Sequence, residues 1–264
     1  MAAEEAAAGP AETEGTAQGR RVLDLLWRGA ATGTAAARGP RPKTNLAEVV
    51  GTAVALADAE GLDALSMRKV AERLGVGAMS LYTYVPGRSE LVELMVDRVY
   101  AEQEPSVAEL GWADRLRHWA GQTLRLYAAH PWLLETNPSR QPIGPHVLDA
   151  SESLHAILLA GGFVGAQNVA VANLVRWQLI GIAQATVVDD YEARRTGVSA
   201  DDYWASRASF WATYYDTERY PATTAVWSAG GFDDPAAGDG AALVERLVQA
   251  VERLGGEQRP AEGS

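Results

Sequence analysis

The chain has 264 residues and no cysteine, which excludes disulfides and thiol catalysis. Histidine is scarce. His118, His130, His146 and His155 are scattered without a His-x-x-x-His spacing, and neither a glycine-rich phosphate loop nor a Gly-x-Ser-x-Gly turn occurs. No catalytic residue, metal site or cofactor is therefore expected, and the acidic pair Asp189-Asp190 reads as a solvated helix end. No apolar run approaches the ~18–20 residues of a membrane span, and Met-Ala-Ala-Glu-Glu lacks the basic start of a signal peptide. A soluble, cytoplasmic protein is expected.

Positive charge is also in deficit, with a net charge of -11. DNA affinity rests on Lys and Arg contacts to phosphate, so this balance argues at first against nucleic acid. Its distribution reverses the argument. Residues 38–88 carry seven basic against five acidic side chains, a surplus of two, and leave -13 to the rest. An acidic body with a mildly basic head suits one dedicated DNA surface.

That head contains the most informative stretch, Ser66 to Arg88. Ser66 is placed to cap a helix whose Met67, Val70, Ala71 and Leu74 share a face. Gly75 can take the left-handed conformation that ends it, and Val76 plugs the corner. A second short helix, Ala78 to Tyr84, returns Leu81, Tyr84 and Val85, with Pro86-Gly87 as its stop. The small Ala71 lets the two helices cross closely, as a helix-turn-helix requires. An ordinary helix hairpin has the same pattern in part.

Residues 1–37 are expected to be a disordered tail with a short helix at 20–28, rich in Leu and ending at Trp27 and Arg28, whose simplest role is docking on the body. The prolines of Arg38-Gly39-Pro40-Arg41-Pro42-Lys43 keep a cationic arm extended, either as a solvated linker or as an arm in the minor groove. A helix from about Asn45 to Glu60, capped by Thr44 or Asn45, completes a three-helix bundle, and one from about Arg88 to Gln103 links it onward. The head spans 38–104, a second domain 105–256, and a tail 257–264. The second domain reads as helical throughout. Its segments are Ala113 to His130, Val147 to Leu159, a nearly uncharged and centrally buried Gly165 to Val188, Ala200 to Tyr215, and Ala241 to Leu254. The fold class is all-α.

With Leu65-Ser66-Met67-Arg68-Lys69-Val70-Ala71-Glu72-Arg73-Leu74-Gly75-Val76, Ser80-Leu81-Tyr82-Thr83-Tyr84-Val85 and Arg88-Ser89-Glu90-Leu91, the chain resembles the tetracycline-repressor (TetR) family of bacterial transcription regulators. The resemblance is specific for about residues 44–95. It implies a homodimer that binds a palindromic operator, usually as a repressor, and leaves it when a small molecule enters the C-terminal domain. By position it implies that Arg68 contacts a base edge or phosphate, that Ala78, Met79 and Ser80 face bases, and that Tyr82, Tyr84 and Arg88 face phosphates. Thr83, the capping residues Thr44 and Ser66, and the arm residues Arg38, Arg41 and Lys43 complete the DNA-facing set. The recognition helix departs from a polar pattern, since Ala78 and Met79 offer only apolar contact of the kind a thymine methyl accepts.

A dimer is also expected because one short recognition helix reads too few base pairs to stand out in a genome. The apolar stripes of the last two helices, with Phe210, Trp211, Leu243, Leu247 and Val251, are assigned to its interface. Trp119, Thr123, Tyr127, Asn173, Trp177 and Gln178 mix aromatic surface with isolated polar groups and are assigned to an effector pocket. Most of the eight tryptophans follow residue 115, which suggests an apolar or flat aromatic effector. The alternative is a helix-turn-helix regulator answering to a protein partner or to no effector.

Overall fold

The computed structural model describes residues 14–31, 44–105, 109–188, 193, 196–233 and 239–256. Among these there are helices and turns and no strand, so the fold is all-α. The described residues form two compact units. One comprises those up to Ala101 with Pro138–Asp149, and the other Glu102–Asn137 with Ala150 onward.

The first unit begins with α1 (Glu14–Ala31), longer than the helix expected over 20–28. Its Val22 and Leu26 are buried, and the Trp27 indole donates to the Ile143 carbonyl at 2.9 Å. Helix α2 (Leu46–Glu60) starts at Asn45, whose Oδ1 accepts from the Glu48 amide while the Glu48 carboxylate accepts from the Asn45 amide. This reciprocal pair satisfies two of the helix's unpaired donors. Asn45 is thus the cap. Thr44 is buried, and its carbonyl accepts from the Tyr84 hydroxyl at 2.8 Å.

Helix α3 (Met67–Leu74) is capped by Ser66 and closed by Gly75 at φ 67°, a conformation that favours glycine. Helix α4 (Ala78–Leu81) is one turn long, continued by backbone bonds from Thr83 to Ser80 and from Tyr84 to Leu81. Val49, Ala53, Leu56, Val70, Leu81, Val85, Leu91 and Met95 are buried at the centre of this unit, the last two from α5 (Arg88–Tyr100).

Near the end of α5 the buried Asp97 holds the start of α7 (Pro145–Ala160). Its Oδ1 accepts from the backbone amides of His146 at 3.0 Å and Val147 at 3.1 Å, and its Oδ2 lies 2.9 Å from the His146 ring. A carboxylate at a helix N-terminus satisfies its unpaired donors and complements its dipole. These bonds explain why 138–149 groups with the first unit, although the sequence assigns it to the second domain.

In the second unit α6 (Trp112–Ala129), the later turns of α7, α8 (Gly165–Ala183) and α12 (Gly240–Gly256) enclose one core, in which Leu116, Leu154, Ile157, Val175, Leu179, Val248 and Val251 are buried. The turn between α7 and α8 needs glycine at Gly161, because an added Cβ would stand 2.9 Å from the Trp112 ring. Asn168 braces this turn, its amide donating to the carbonyls of His155 and Phe163.

Three expectations are corrected here. Gly165–Val188 is long and apolar enough to cross a membrane by length and composition, contrary to the sequence reading, but Val171, Ala172, Val175, Leu179 and Ile182 commit one face of it to the core. It is also not buried on most sides, for Val169, Leu174 and Trp177 are exposed. The expected single helix Ala200 to Tyr215 is two short ones, α9 (Ala200–Ala205) and α10 (Ser209–Thr213), followed by α11 (Pro221–Ser228). Their aromatic rings pack on one another, with Trp211 and Trp227 4.6 Å apart between centroids.

Candidate nucleic-acid interface and effector-binding unit

The helix-turn-helix presents a small set of outward groups. Met79 is 79% exposed, Ser80 is exposed, and Tyr82 is half exposed with no hydrogen-bond partner among the described residues. Ala78 is half-buried beside them. The Arg68 side chain is 84% exposed and reaches Glu72 one turn on at 2.8 Å, and that hydrogen bond raises the guanidinium pKa. An exposed i,i+4 pair contributes little to stability, so a phosphate or base edge can displace Glu72 at small cost. Lys69 and Arg73 both lie on Glu60, at 3.1 and 2.6 Å, and their contacts, led by the Lys69 hydrogen bond, hold its carboxyl below the usual range.

Other residues expected to face DNA have partners within the bundle. Arg88 donates to the carbonyls of Leu65 at 3.0 Å and Leu62 at 2.7 Å, closing the loop between α2 and α3. Tyr84 donates to Thr44, and Thr83 donates back to the Ser80 carbonyl at 2.6 Å. Ser66 caps α3, and Thr44 is buried. These five shape the motif. Arg38, Arg41 and Lys43 lie outside the described residues.

The glutamate of the Ser-Glu-Leu sequence at the start of α5 is also internal. Burial would raise the Glu90 carboxyl, but hydrogen bonds from Gln18, its own backbone amide and Ser89, with the charge of Arg21, hold it below its ordinary value.

In the second unit, the six residues assigned to a pocket fall into two separate groups. Trp119, Thr123 and Tyr127 are buried. The Trp119 indole donates to the Ala150 carbonyl at 3.2 Å, and Thr123 donates to the Trp119 carbonyl and accepts from Gln103. Asn173, Trp177 and Gln178 are exposed on the outer face of α8. Helical periodicity is the reason, since Val171, Val175, Leu179 and Ile182 occupy the inward positions. The six do not share a cavity.

The dimer set divides as well. Leu247 and Val251 are buried in the unit's own core and Leu243 packs against it, so the α12 stripe is covered from within. Phe210 and Trp211 remain exposed at 42% and 46%. The stripe that lacks cover lies on α8, where Ala166, Val169, Ala170, Asn173, Leu174, Trp177, Gln178 and Gly181 are exposed and uncharged.

Sequence reasoning passed over a cleft of about 530 Å³ between α6, the end of α8 and the start of α12. Beside it Arg117 bonds Glu245 through two nitrogens, at 2.7 and 3.0 Å, and Asp114 at 2.9 Å. Only the helix-face register of Arg117 on α6 against Glu245 on α12 could have signalled it. No cluster of metal-ligating side chains occurs among the described residues.

Comparison with known proteins is concordant over both units. Residues 49–95 match the family described as bacterial regulatory proteins, tetR family, and residues 104–235 the tetracyclin repressor-like C-terminal domain. The chain is 39% identical over 216 residues to the HTH-type transcriptional repressor DrrR1 of Streptomyces coeruleorubidus, covering 81% of this chain and 79% of that one. It is 31% identical over 192 residues to an HTH-type transcriptional regulator of Saccharopolyspora erythraea, covering 72% and 80%. Among solved structures it is similar to the Streptomyces coelicolor TetR family protein ActR in complex with actinorhodin, at 25% identity and a TM-score of 0.68 over 83% of this chain and 99% of ActR.

Proposed function

The chain belongs to the TetR family of transcription regulators, and from that premise we propose that it is a cytoplasmic, effector-responsive repressor that binds a palindromic operator as a homodimer. It is a DNA-binding regulator and not an enzyme. The observation that carries the DNA reading is the group Arg68, Met79, Ser80 and Tyr82, left exposed on a motif whose other side chains brace it from within. Arg68 supplies charge and a forked donor, Met79 apolar contact of the kind a thymine methyl accepts, and Tyr82 a phosphate-directed hydroxyl.

Pairing is supported by the uncharged outer face of α8. A stripe of exposed Val169, Leu174 and Trp177 along a 19-residue helix is the surface a partner helix covers, and an isologous pairing brings the same stripe from each protomer together. Phe210 and Trp211 add apolar surface in the same unit. Two-fold pairing then presents two recognition helices to two half-sites. The effector response is supported by ActR, which is a relative seen in complex with the small molecule actinorhodin.

The test is operator binding by fluorescence anisotropy, with DNA from the protein's own promoter region at fixed salt. Arg68→Ala is expected to weaken binding by about 1–3 kcal/mol per half-site, the value of one good base or charged contact. Unchanged affinity removes Arg68 from the interface, and failure of the wild type to select its promoter DNA over a scrambled duplex removes the reading itself.

A further inference from the structure

Helix α1 precedes the residues that match the family, and neither DNA contact nor pairing has given it a role. It is nevertheless firmly held. Gln18, Val22, Leu25 and Leu26 share one face, on which Val22 and Leu26 are buried in the first unit and Leu25 is half-buried. A hydrogen bond anchors the helix at either end of this contact. Gln18 donates to the Glu90 carboxylate, and nearer the end of α1 the Trp27 indole donates to the Ile143 carbonyl at 2.9 Å.

Both anchors fall where α5 is already committed to other parts of the unit. Glu90 is 3% exposed in the first turn of α5 and folds back over Gly87, where an added Cβ would stand 2.8 Å from its Oε2. In the same turn Arg88 donates to the Leu62 and Leu65 carbonyls, so this turn is tied to the loop before α3 on one side and to α1 on the other. Loss of the Gln18 donor would leave a buried carboxylate short of a partner, which makes that anchor costly to break. Ile143 adjoins Gly144, whose Cβ position is occupied by the Asp97 carboxylate that caps α7. Gln18 to Trp27 and Glu90 to Asp97 are comparable spans, about 10–14 Å at ~1.5 Å per residue, so α1 runs alongside α5 from the recognition motif to the start of α7.

We propose that α1 is a strap that positions the recognition motif: by holding the first turn of α5 and the segment before α7 at once, it makes α3, α4 and α5 one block with residues 143–147 and sets the orientation in which α4 meets DNA. Gln18 and Trp27 are its positioning residues, acting through Glu90 and the Ile143 backbone. The proposal rests on the DNA-binding reading for its consequence, which is selectivity. A block held at both ends presents Arg68, Met79 and Ser80 in one orientation, and base contacts depend on that orientation more than phosphate attraction does.

Amide hydrogen exchange of the full chain tests the strap without DNA. Trp27→Phe keeps a ring and removes the donor at Ile143, whereas Gln18→Glu keeps the size and removes the donor at Glu90. Each is expected to speed exchange at both ends, in residues 90–94 and 146–149, by about fivefold or more, the equivalent of one lost hydrogen bond. Gln18→Lys, which keeps a donor, should exchange as the wild type does. Loosening confined to the mutated end, or none at either, overturns the strap. Positioning is scored separately, with Val22→Asp and Leu26→Asp combined to undock α1 and circular-dichroism melting to establish that the body is folded. The ratio of affinities for promoter and scrambled duplexes should fall by about tenfold or more, a change that a merely stabilising helix does not produce. A wild-type ratio in the folded variant overturns the positioning role. If the double variant does not fold, Gln18→Glu takes its place, with a lowered ratio restored by Gln18→Lys as the expected result and an unchanged ratio as the refutation. A wild type without preference for its promoter DNA removes the DNA reading instead, and the exchange result then decides the strap alone.

Discussion

Trp177 offers the sharpest test of the architecture, because its role depends on which way one helix faces. Its side chain is 52% exposed in the single chain. A tryptophan buries ~150–250 Å² when covered, so about 100 Å² remains for a partner to cover. At ~25 cal/mol per Å² this amounts to about 2.5 kcal/mol, and a two-fold interface contains the residue twice, for about 5 kcal/mol. Each ~1.4 kcal/mol is a factor of ten, so Trp177→Ala should raise the dimer dissociation constant by roughly three to four orders of magnitude. The loss of fold should be small, since the ring is outside the core formed by Val171, Val175 and Leu179. Sedimentation equilibrium over a nanomolar to micromolar range measures the constant directly, and the operator titration should lose affinity in parallel. A Trp177→Ala protein that stays folded and dimerises as tightly as the wild type refutes the assignment of the α8 face to pairing.

Two further outcomes follow from bonds within the units. Asp97→Ala removes the acceptor for the first amides of α7, and with hydrogen bonds to a charged group contributing ~1.5–3 kcal/mol each, a loss of about 3 kcal/mol is expected. Gly144→Ala should act at the same point by about 1–3 kcal/mol, because an added Cβ would overlap the buried Asp97 carboxylate. The urea midpoint reads both, and wild-type midpoints for both variants would refute the cap. The Glu245 carboxyl is held below its usual range first by the Arg117 hydrogen bond and then by Gln249. A depressed native pKa contributes stability that is present above the unfolded carboxylate pKa and is lost as pH falls through the native value. Thermal melts of wild type should therefore fall more steeply with acid than those of Arg117→Gln, and parallel curves would remove this pair from the stability of the unit.

The helix-turn-helix was legible in the sequence because its signals are local. Asn45 with Glu48, Ser66 with Lys69, and Gly75 at φ 67° each act within one turn, and residue type determines each. The second unit was less legible because absence of charge on Gly165–Val188 is compatible with two kinds of burial. Periodicity identifies the stripe Val171, Val175, Leu179 and Ile182, but does not say whether the opposite stripe is covered by the same chain or by another. The same ambiguity misassigned Leu247 and Val251, whose stripe packs on α6 and α8 within the chain. Asp97 gave no signal, because its partners lie 49 and 50 residues away and an acidic residue on a helix is ordinarily solvated.

The internal bonds of the motif narrow the source of DNA specificity. Arg88, Tyr84 and Thr83 would each add a contact if free, but Arg88 is tied to the loop before α3 through Leu62 and Leu65, Tyr84 to the segment before α2 through Thr44, and Thr83 to its own turn through Ser80. What remains outward on one turn of recognition helix is Met79 and Ser80, with Tyr82 just beyond it and Arg68 on the preceding helix. An apolar side chain discriminates among base pairs chiefly by the thymine methyl, and a hydroxyl pairs with donors and acceptors alike. In the proposed complex, directional readout in each half-site would therefore fall to Arg68, the only one of the four with a rigid fork of donors. Its existing pair with Glu72 keeps the guanidinium extended along α3 in the free protein, so the exchange of a carboxylate for guanine or phosphate costs less ordering than recruiting an unpaired arginine. An acidic body with few basic groups then favours selectivity over raw affinity, since phosphate contacts that raise binding to the operator raise binding to all DNA.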